Sequence, residues 1–180
     1  MKKEKAKRNA CDFYPTPMEV VTNFITNYGI LEGNILEPSA GNGNIVNVIK
    51  NKNNSVTALE LREEETVNLS ALADHVVIGD FLKYEPIQEY DYIITNPPFS
   101  MAQEFIEHCF KIKGENTKII MLLRLSFLES QRRYAFWKAY PVNKLYVLSK
   151  RPSFTGKGTD SAAYAWFVWD NSKTQEIHVI

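Results

Sequence analysis

The stretch Asn34-Ile35-Leu36-Glu37-Pro38-Ser39-Ala40-Gly41-Asn42-Gly43 decides the fold. Residues Asn34–Pro38 form a short apolar run of strand character, and the glycine turn after them opens onto a helical pattern at Ile45–Ile49. Strand, glycine turn and helix make up the unit of a doubly wound α/β sheet, whose ligand sits outside the carboxyl ends of the strands. Gly41 and Gly43 allow the backbone to approach a ligand with no Cβ in the way. The turn is not the GxGxxG of dinucleotide folds, because the third glycine is missing and Glu37 ends the strand. A pyrophosphate favours a bare helix N-terminus. A ligand carrying an ammonium group is instead matched by a carboxylate such as Glu37.

The alternation continues outward from this turn. Towards the N-terminus, Thr16 and Glu19 make a capping box with Pro17 at the first helical position. The helix is carried by Val20, Val21, Phe24, Ile25 and Tyr28 and stopped by Gly29. Towards the C-terminus, Ser55–Glu60 reads as a strand, Glu63–Ala73 as a helix, and His75–Ile78 and Asp91–Thr95 as strands. Ser100 and Gln103 open a further helix that ends at Gly114, and Lys118–Leu123 is an apolar strand. Ser126 and Glu129 form another capping box, for a helix running to Tyr140. Val142–Ser149 and Ala162–Trp169 are strands, and Gln175–Ile180 is a candidate for one more. The pattern predicts a mostly parallel sheet covered on both faces. Loss of the intervening helix near the end predicts an antiparallel C-terminal strand pair. Residues 1–11 read as a flexible basic tail and residues 12–180 as one domain, with no repeat or linker between.

Composition narrows the class. The 180 residues are 44% hydrophobic and 23% charged, which suits a soluble α/β domain. No apolar run reaches the roughly 18 residues that cross a bilayer, and Met1–Arg8 lacks the apolar core of a signal peptide. Cys11 and Cys109 make no CxxC, and the three histidines are scattered, so the expectation is a cytoplasmic protein with no metal site. The net charge is zero but unevenly spread. Residues 31–100 hold four basic and eleven acidic side chains, whereas residues 118–158 hold nine basic ones and a single acid, Glu129. A face of that sign suits a polyanion, which exchanges counterions for Lys and Arg; it also suits plain solvation. Arg124, Arg132, Arg133, Lys150, Arg151 and Lys157 are the candidates for contact with nucleic acid, with Phe154 among them.

Candidate ligand groups recur at successive strand ends. Glu60 closes the second strand, with Leu61 beside it, and a carboxylate there accepts the two ribose hydroxyls of an adenosine. Asp80 follows the third strand and can accept from an adenine amine, while Phe81 can pack on the ring. The fourth strand runs into Asn96-Pro97-Pro98-Phe99, the most specific feature of the chain. Two prolines that stop a strand account for a rigid turn, but not for an asparagine and a large aromatic beside them. An aromatic amine is a poor nucleophile because its lone pair is delocalised into the ring. The Asn96 side-chain oxygen and the Pro97 carbonyl can accept its two N–H bonds and favour a pyramidal nitrogen. Phe99 can stack on the base that carries the amine.

At these residues the chain resembles the amino-group methyltransferases that use S-adenosyl-L-methionine, especially N6-adenine DNA methyltransferases. The resemblance implies a Rossmann-like class I fold, with a seven-stranded sheet and three helices on each side. It implies a cofactor turn at Glu37, Pro38, Ala40, Gly41 and Gly43, a ribose acid at Glu60, a third-strand acid at Asp80 and a catalytic tetrapeptide at Asn96–Phe99. Phe13-Tyr14-Pro15-Thr16-Pro17 is similar to the family segment that leans on the methionine part of the cofactor, and Arg151-Pro152-Ser153-Phe154 to its late loop around the base. The resemblance spans residues 12–170 and is nearest to small phage-type members. No segment is long enough to be their separate target-recognition region. A homodimer or specificity partner, a loose sequence context or a structured RNA would have to replace it. The implied reaction is methyl transfer to the N6 amine of adenine, with DNA favoured over RNA.

Other readings stay open at this point. The same tetrapeptide chemistry serves adenine or guanine in RNA and the side-chain amide of glutamine in protein. A non-catalytic nucleic-acid-binding module would not need the tetrapeptide intact. A dehydrogenase would need a third glycine and a catalytic His or Tyr.

Overall fold

The structure is a computed structural model and describes residues 14–156 and 158–180. The basic tail expected at residues 1–11, Phe13 and Lys157 lie outside the described residues.

Eight strands form one sheet: β1 (Gly33–Glu37), β2 (Asn54–Glu60), β3 (His75–Ile78), β4 (Tyr92–Thr95), β5 (Lys118–Arg124), β6 (Lys144–Val147), β7 (Tyr164–Trp169) and β8 (Glu176–Val179). Their order is β3-β2-β1-β4-β5-β7-β6-β8. The strands β3, β2, β1, β4 and β5 are mutually parallel. β7 runs antiparallel to both β5 and β6. The antiparallel C-terminal pairing is therefore present, but the sheet has eight strands rather than seven. The additional strand, β8, lies parallel to β6, with Leu145 opposite Ile177. The β1–β4 seam, where the chain crosses from one half of the sheet to the other, is the crevice at which doubly wound sheets bind ligands.

Alternation along each central strand divides the core in two. Ile35, Val56, Ala58, Ile94, Ile120 and Trp166 face one side, against α1 (Met18–Tyr28), α2 (Asn44–Ile49) and α3 (Thr66–Ser70). Leu36, Leu59, Ile93, Met121 and Phe167 face the other, against α4 (Ala102–Ile112) and α5 (Tyr134–Ala139). Because β-strand side chains alternate with a period of two, five-residue β1 feeds both cores from Ile35 and Leu36. Burying large side chains such as Trp166, which is stacked on Phe24 at 4.8 Å, supplies most of the cohesion. Cys109 is free and buried in the second core.

The three expected capping boxes do not form, each because its side chains find other partners. Thr16 does not cap α1; its hydroxyl accepts from Asn96 instead. The Ser100 box is replaced by a 3₁₀ turn over Phe99–Met101, and Gln103 donates to Glu107 at 2.9 Å. The helix expected from Ser126 starts only at Tyr134, after 3₁₀ turns at Leu125–Leu128 and Gln131–Arg133. Ser130, at φ 109°, separates those turns. The freed carbonyls of Phe127 and Glu129 accept from the Arg133 guanidinium, and that of Phe127 also from the Trp137 indole.

Candidate active site

One cavity of about 210 Å³ opens at the carboxyl ends of β1, β2, β3 and β4. Its wall gathers most of the residues expected from the sequence. Pro38, Ala40 and Gly41 come from the turn after β1, Glu60 and Leu61 from the end of β2, and Asp80 and Phe81 from the end of β3. Asn96, Pro97, Pro98 and Phe99 follow β4, and Tyr14, Pro15 and Thr16 close the front. These elements converge because parallel strands deliver all their C-terminal loops to one edge. Glu37 and Gly43 lie outside the lining. Gly43 sits at φ 84° as the N-cap of α2, and a Cβ there would fall 2.6 Å from the Leu72 side chain. Its role is close packing rather than wall.

The carboxylate of Glu60 ties the wall together. One oxygen accepts from the Gly41 backbone N–H at 2.7 Å, and the other from the Arg62 backbone N–H and Nε at 3.1 and 3.0 Å. Arg62 also pairs with Glu65. Gly41 reaches this position at φ 55°, a conformation in which a side chain would be strained. Asp80 accepts from the Leu82 backbone N–H and pairs with Lys83 at the exposed rim. Phe81 is 3% exposed and packs on Phe105 and His108, so it borders the cavity from within the second core. Leu61 is 63% exposed at the mouth.

Glu37 is fully buried beneath the turn. One of its oxygens accepts from the Ser39 backbone N–H at 3.1 Å and the other has no protein partner. Burial raises its carboxyl from the ordinary carboxylate value to about 8, and the charge on Glu60 adds to this, against pulls from Thr95 and the Ser39 amide.

Asn96 occupies the junction between strand and tetrapeptide. Its backbone carbonyl accepts from the Ser39 hydroxyl at 3.2 Å, and that hydroxyl also meets the hydroxyl of Thr95. Its side-chain nitrogen donates to the Thr16 hydroxyl at 3.0 Å. Its side-chain oxygen is buried and has no partner. An unsatisfied buried acceptor costs roughly 1–3 kcal/mol, so such a group at a cavity wall is one that a donor-bearing ligand would complete.

On the far side of Phe99 lies a second, aromatic hollow of about 240 Å³. Tyr14 and Phe99 belong to both spaces. The Tyr14 ring stacks on Phe99 at 6.1 Å, Phe154 meets Phe99 edge-on at 6.2 Å, and the Arg124 guanidinium lies 4.5 Å from the Phe99 centroid. Arg124 Nε donates to the Tyr164 hydroxyl at 3.2 Å, and that hydroxyl donates to Asp160 at 3.1 Å. Burial pushes Tyr164 up to about 12, so it keeps its proton as a donor.

The basic candidates separate by role. Arg124 belongs to the aromatic hollow. Arg133 lies 4.4 Å over the Phe127 ring and clamps two carbonyls, a structural use. Arg132, Lys150 and Arg151 are exposed. Sequence reasoning missed Ser39, Thr95, Asn44, Tyr164 and Asp160. Ser39, two residues beyond a buried strand-end carboxylate, was the one with a local cue. The others act across 28 residues or more of chain or through a late loop, and no local pattern marks them. Among the described residues no cluster of His, Cys, Asp or Glu is arranged to hold a metal, and no helix is long and apolar enough to cross a membrane.

No protein-family model matches the chain, and no curated protein matches its sequence. Solved structures do match its fold. A protein from Listeria monocytogenes described as a class I S-adenosylmethionine-dependent methyltransferase is 11% identical, with a TM-score of 0.71 over 97% of this chain and 68% of its own. A protein from Pyrococcus horikoshii described as an RNA methyltransferase is 18% identical, with a TM-score of 0.67 over 93% of this chain and 92% of its own. The 23S rRNA methyltransferase ErmE is 15% identical, with a TM-score of 0.64 over 91% of this chain and 71% of its own. The chain has the α/β Rossmann-like fold of class I S-adenosylmethionine-dependent methyltransferases, with RNA methyltransferases among its structural neighbours.

Proposed function

We propose that this protein transfers a methyl group from S-adenosyl-L-methionine to the exocyclic N6 amine of adenine in nucleic acid, with DNA as the expected substrate. The observation that carries the reading is the Asn96 side chain. Its amide nitrogen is tied to Thr16 and its oxygen has no partner, at the wall of the strand-end cavity, in the same tetrapeptide as the Phe99 that this cavity shares with the aromatic hollow.

The residues present fit the cofactor. Glu60 stands at the end of β2 with three donors on its carboxylate, which leaves one lone-pair site, on Oε2, for a hydroxyl donor. Glu60, Asp80 and the backbone of Pro38–Gly41 would hold the adenosyl part, and Tyr14–Thr16 the methionine part. When bound, the cofactor supplies a methyl group made electrophilic by sulfonium charge.

The chain's own residues then orient the acceptor. The Asn96 oxygen and the Pro97 carbonyl accept the two N–H bonds of the target amine and turn its lone pair out of the ring plane. Phe99 stacks on the base, a contact worth about 1–3 kcal/mol. In a duplex the base must first leave its stack, at a cost of a few kcal/mol. The N–C bond would form as the donor's S–C bond breaks and a neutral thioether leaves, and the proton then lost by the cationic nitrogen would pass to solvent, so the site needs acceptors rather than a strong base. Orientation and fixed dipoles carry the rate enhancement. The basic segment with Arg132, Lys150 and Arg151 favours a polyanionic substrate over protein.

A second reading, an RNA substrate, is favoured by the RNA methyltransferases among the structural neighbours. Labelled methyl transfer to duplex DNA, single-stranded DNA and RNA in parallel, followed by digestion to nucleosides, decides between them. N6-methyldeoxyadenosine is the expected product. Calorimetry with no cofactor binding at millimolar ligand would remove the cofactor, and cofactor binding without transfer to any nucleic acid would remove the substrate.

A further inference from the structure

We infer that Thr16 is a positioning residue that holds the Asn96 amide by its nitrogen with the oxygen left unpaired, and that it links this arrangement to the turn at Gly41–Asn44. The inference rests on the proposed acceptor role of the Asn96 oxygen. An asparagine amide has a donor end and an acceptor end of nearly equal size. Rotation by half a turn would present NH₂ to an incoming amine, donor against donor. A hydroxyl can meet either end of an amide; here the Thr16 hydroxyl accepts from the nitrogen at 3.0 Å and the oxygen is left unpartnered.

The hydrogen bond is held rigidly on both sides. Thr16 stands between Pro15 and Pro17, and Asn96 precedes Pro97. A residue before proline is confined to extended conformations, so neither backbone drifts easily. Thr16 is 6% exposed, and its hydroxyl does not cap the helix that starts two residues later. Its carbonyl accepts from the Asn44 side chain at 2.9 Å. Asn44 is the first residue of α2, directly after the glycine turn, and it lines the same cavity. A chain of hydrogen bonds therefore runs from Asn44 through the Thr16 carbonyl and hydroxyl to Asn96. It spans 28 residues of sequence on one side and 80 on the other.

The test is a variant series read by steady-state kinetics, cofactor calorimetry and side-chain amide NMR of the free protein. Thr16→Val keeps the shape and removes the hydroxyl. It is expected to lower kcat about ten-fold, the equivalent of one hydrogen bond. With S-adenosyl-L-methionine saturating, the KM for nucleic acid should stay within two-fold; calorimetry reads separately any loss of cofactor affinity from Thr16's own place in the cofactor wall. Thr16→Ser should restore kcat. Thr16→Val added to Asn96→Ala should cause no further loss, since the amide that Thr16 holds is then absent. The Asn96 side-chain N–H resonances should shift in Thr16→Val and return in Thr16→Ser, a readout independent of any activity. If Thr16→Val unfolds, Thr16→Ala supplies the same comparison. Wild-type kcat in the variant, an equal loss in Thr16→Ser, or a loss that adds to Asn96→Ala would overturn the inference. If the wild type modifies no nucleic acid, the proposed function fails by itself. The NMR comparison still shows whether Thr16 holds the amide.

Discussion

The cavity at the strand ends and the aromatic hollow beside it share Tyr14 and Phe99 but are built on different principles. The cavity is built on short loops at strand ends: parallel strands end together, and Glu60 fastens the first turn to the second strand at 2.7 Å. The hollow is mostly side chains: rings from residues 14, 99, 154 and 164 meet across most of the chain, with Arg124 on one face. A backbone cradle is fixed by topology and tolerates side-chain change. A side-chain cage exists only while each distant loop stays in place. The cradle is thus suited to an invariant ligand and the cage to one that enters and leaves.

Four variants test this division. The largest effect is expected at Asn96, where Asn96→Ala removes the side-chain oxygen proposed to accept from the target amine. Methyl transfer should fall by about 10²–10³-fold, the usual cost of one preorganised polar group, while calorimetry should show the cofactor bound as in the wild type. Loss of both together would assign Asn96 to the cradle.

The second concerns the floor of the cradle. A folded-state Glu37 carboxyl near 8, against an ordinary value near 4.5, means that the folded protein holds a proton the unfolded chain releases. The favourable contribution of the protonated group is fully present below pH 4.5 and is lost as pH rises towards 8. Glu37→Gln keeps a neutral group at every pH. In the absence of ligand it should flatten that slope and stabilise the protein at pH 8 by a few kcal/mol at most, on the order set by the linkage of pKa to folding. Thermal melts from pH 5 to 8 that stay parallel for the two proteins would show that Glu37 is ionised without penalty.

Third, Phe99→Ala should leave cofactor affinity intact but weaken nucleic-acid binding by about 1–3 kcal/mol, read as KM. An unchanged KM would mean that the base stacks elsewhere in the cage. The smallest effect belongs to the rim. Replacing Arg132, Lys150 and Arg151 with Ala should reduce the salt slope of nucleic-acid binding by about 0.9 for each duplex phosphate that is no longer neutralised. Arg133 is left out, because its guanidinium already serves the carbonyls of Phe127 and Glu129.

Much of the cradle was readable from sequence, and much of the cage was not. Leu36, Glu37 and the glycines after them mark a strand end by local pattern alone, as do Glu60 and Asp80. Parallel topology then brings such ends together without further information. Phe154 was legible through its resemblance to a late loop around the base, and Arg124 as a basic candidate for nucleic acid, but not as partners of one ring. Their meeting over Phe99 depends on β7 inserting between β5 and β6, which no periodicity encodes. The capping boxes failed for a related reason. Ser126 and Glu129 satisfied the local rule, but the Arg133 and Trp137 side chains claimed the Phe127 carbonyl and left the first turns 3₁₀.

By itself the sequence determined the strand–helix alternation, the parallel half of the sheet and the positions of Glu60, Asp80 and Asn96 at strand ends. These follow from hydrophobic period and turn chemistry, which act over a few residues. Tertiary structure alone decided that Thr16 turns from helix cap to partner of Asn96, that Glu37 sinks beneath the wall, and that β8 extends the sheet. Each of those outcomes is a competition between one local and one distant partner, settled by which hydrogen bond or apolar surface the assembled fold leaves open.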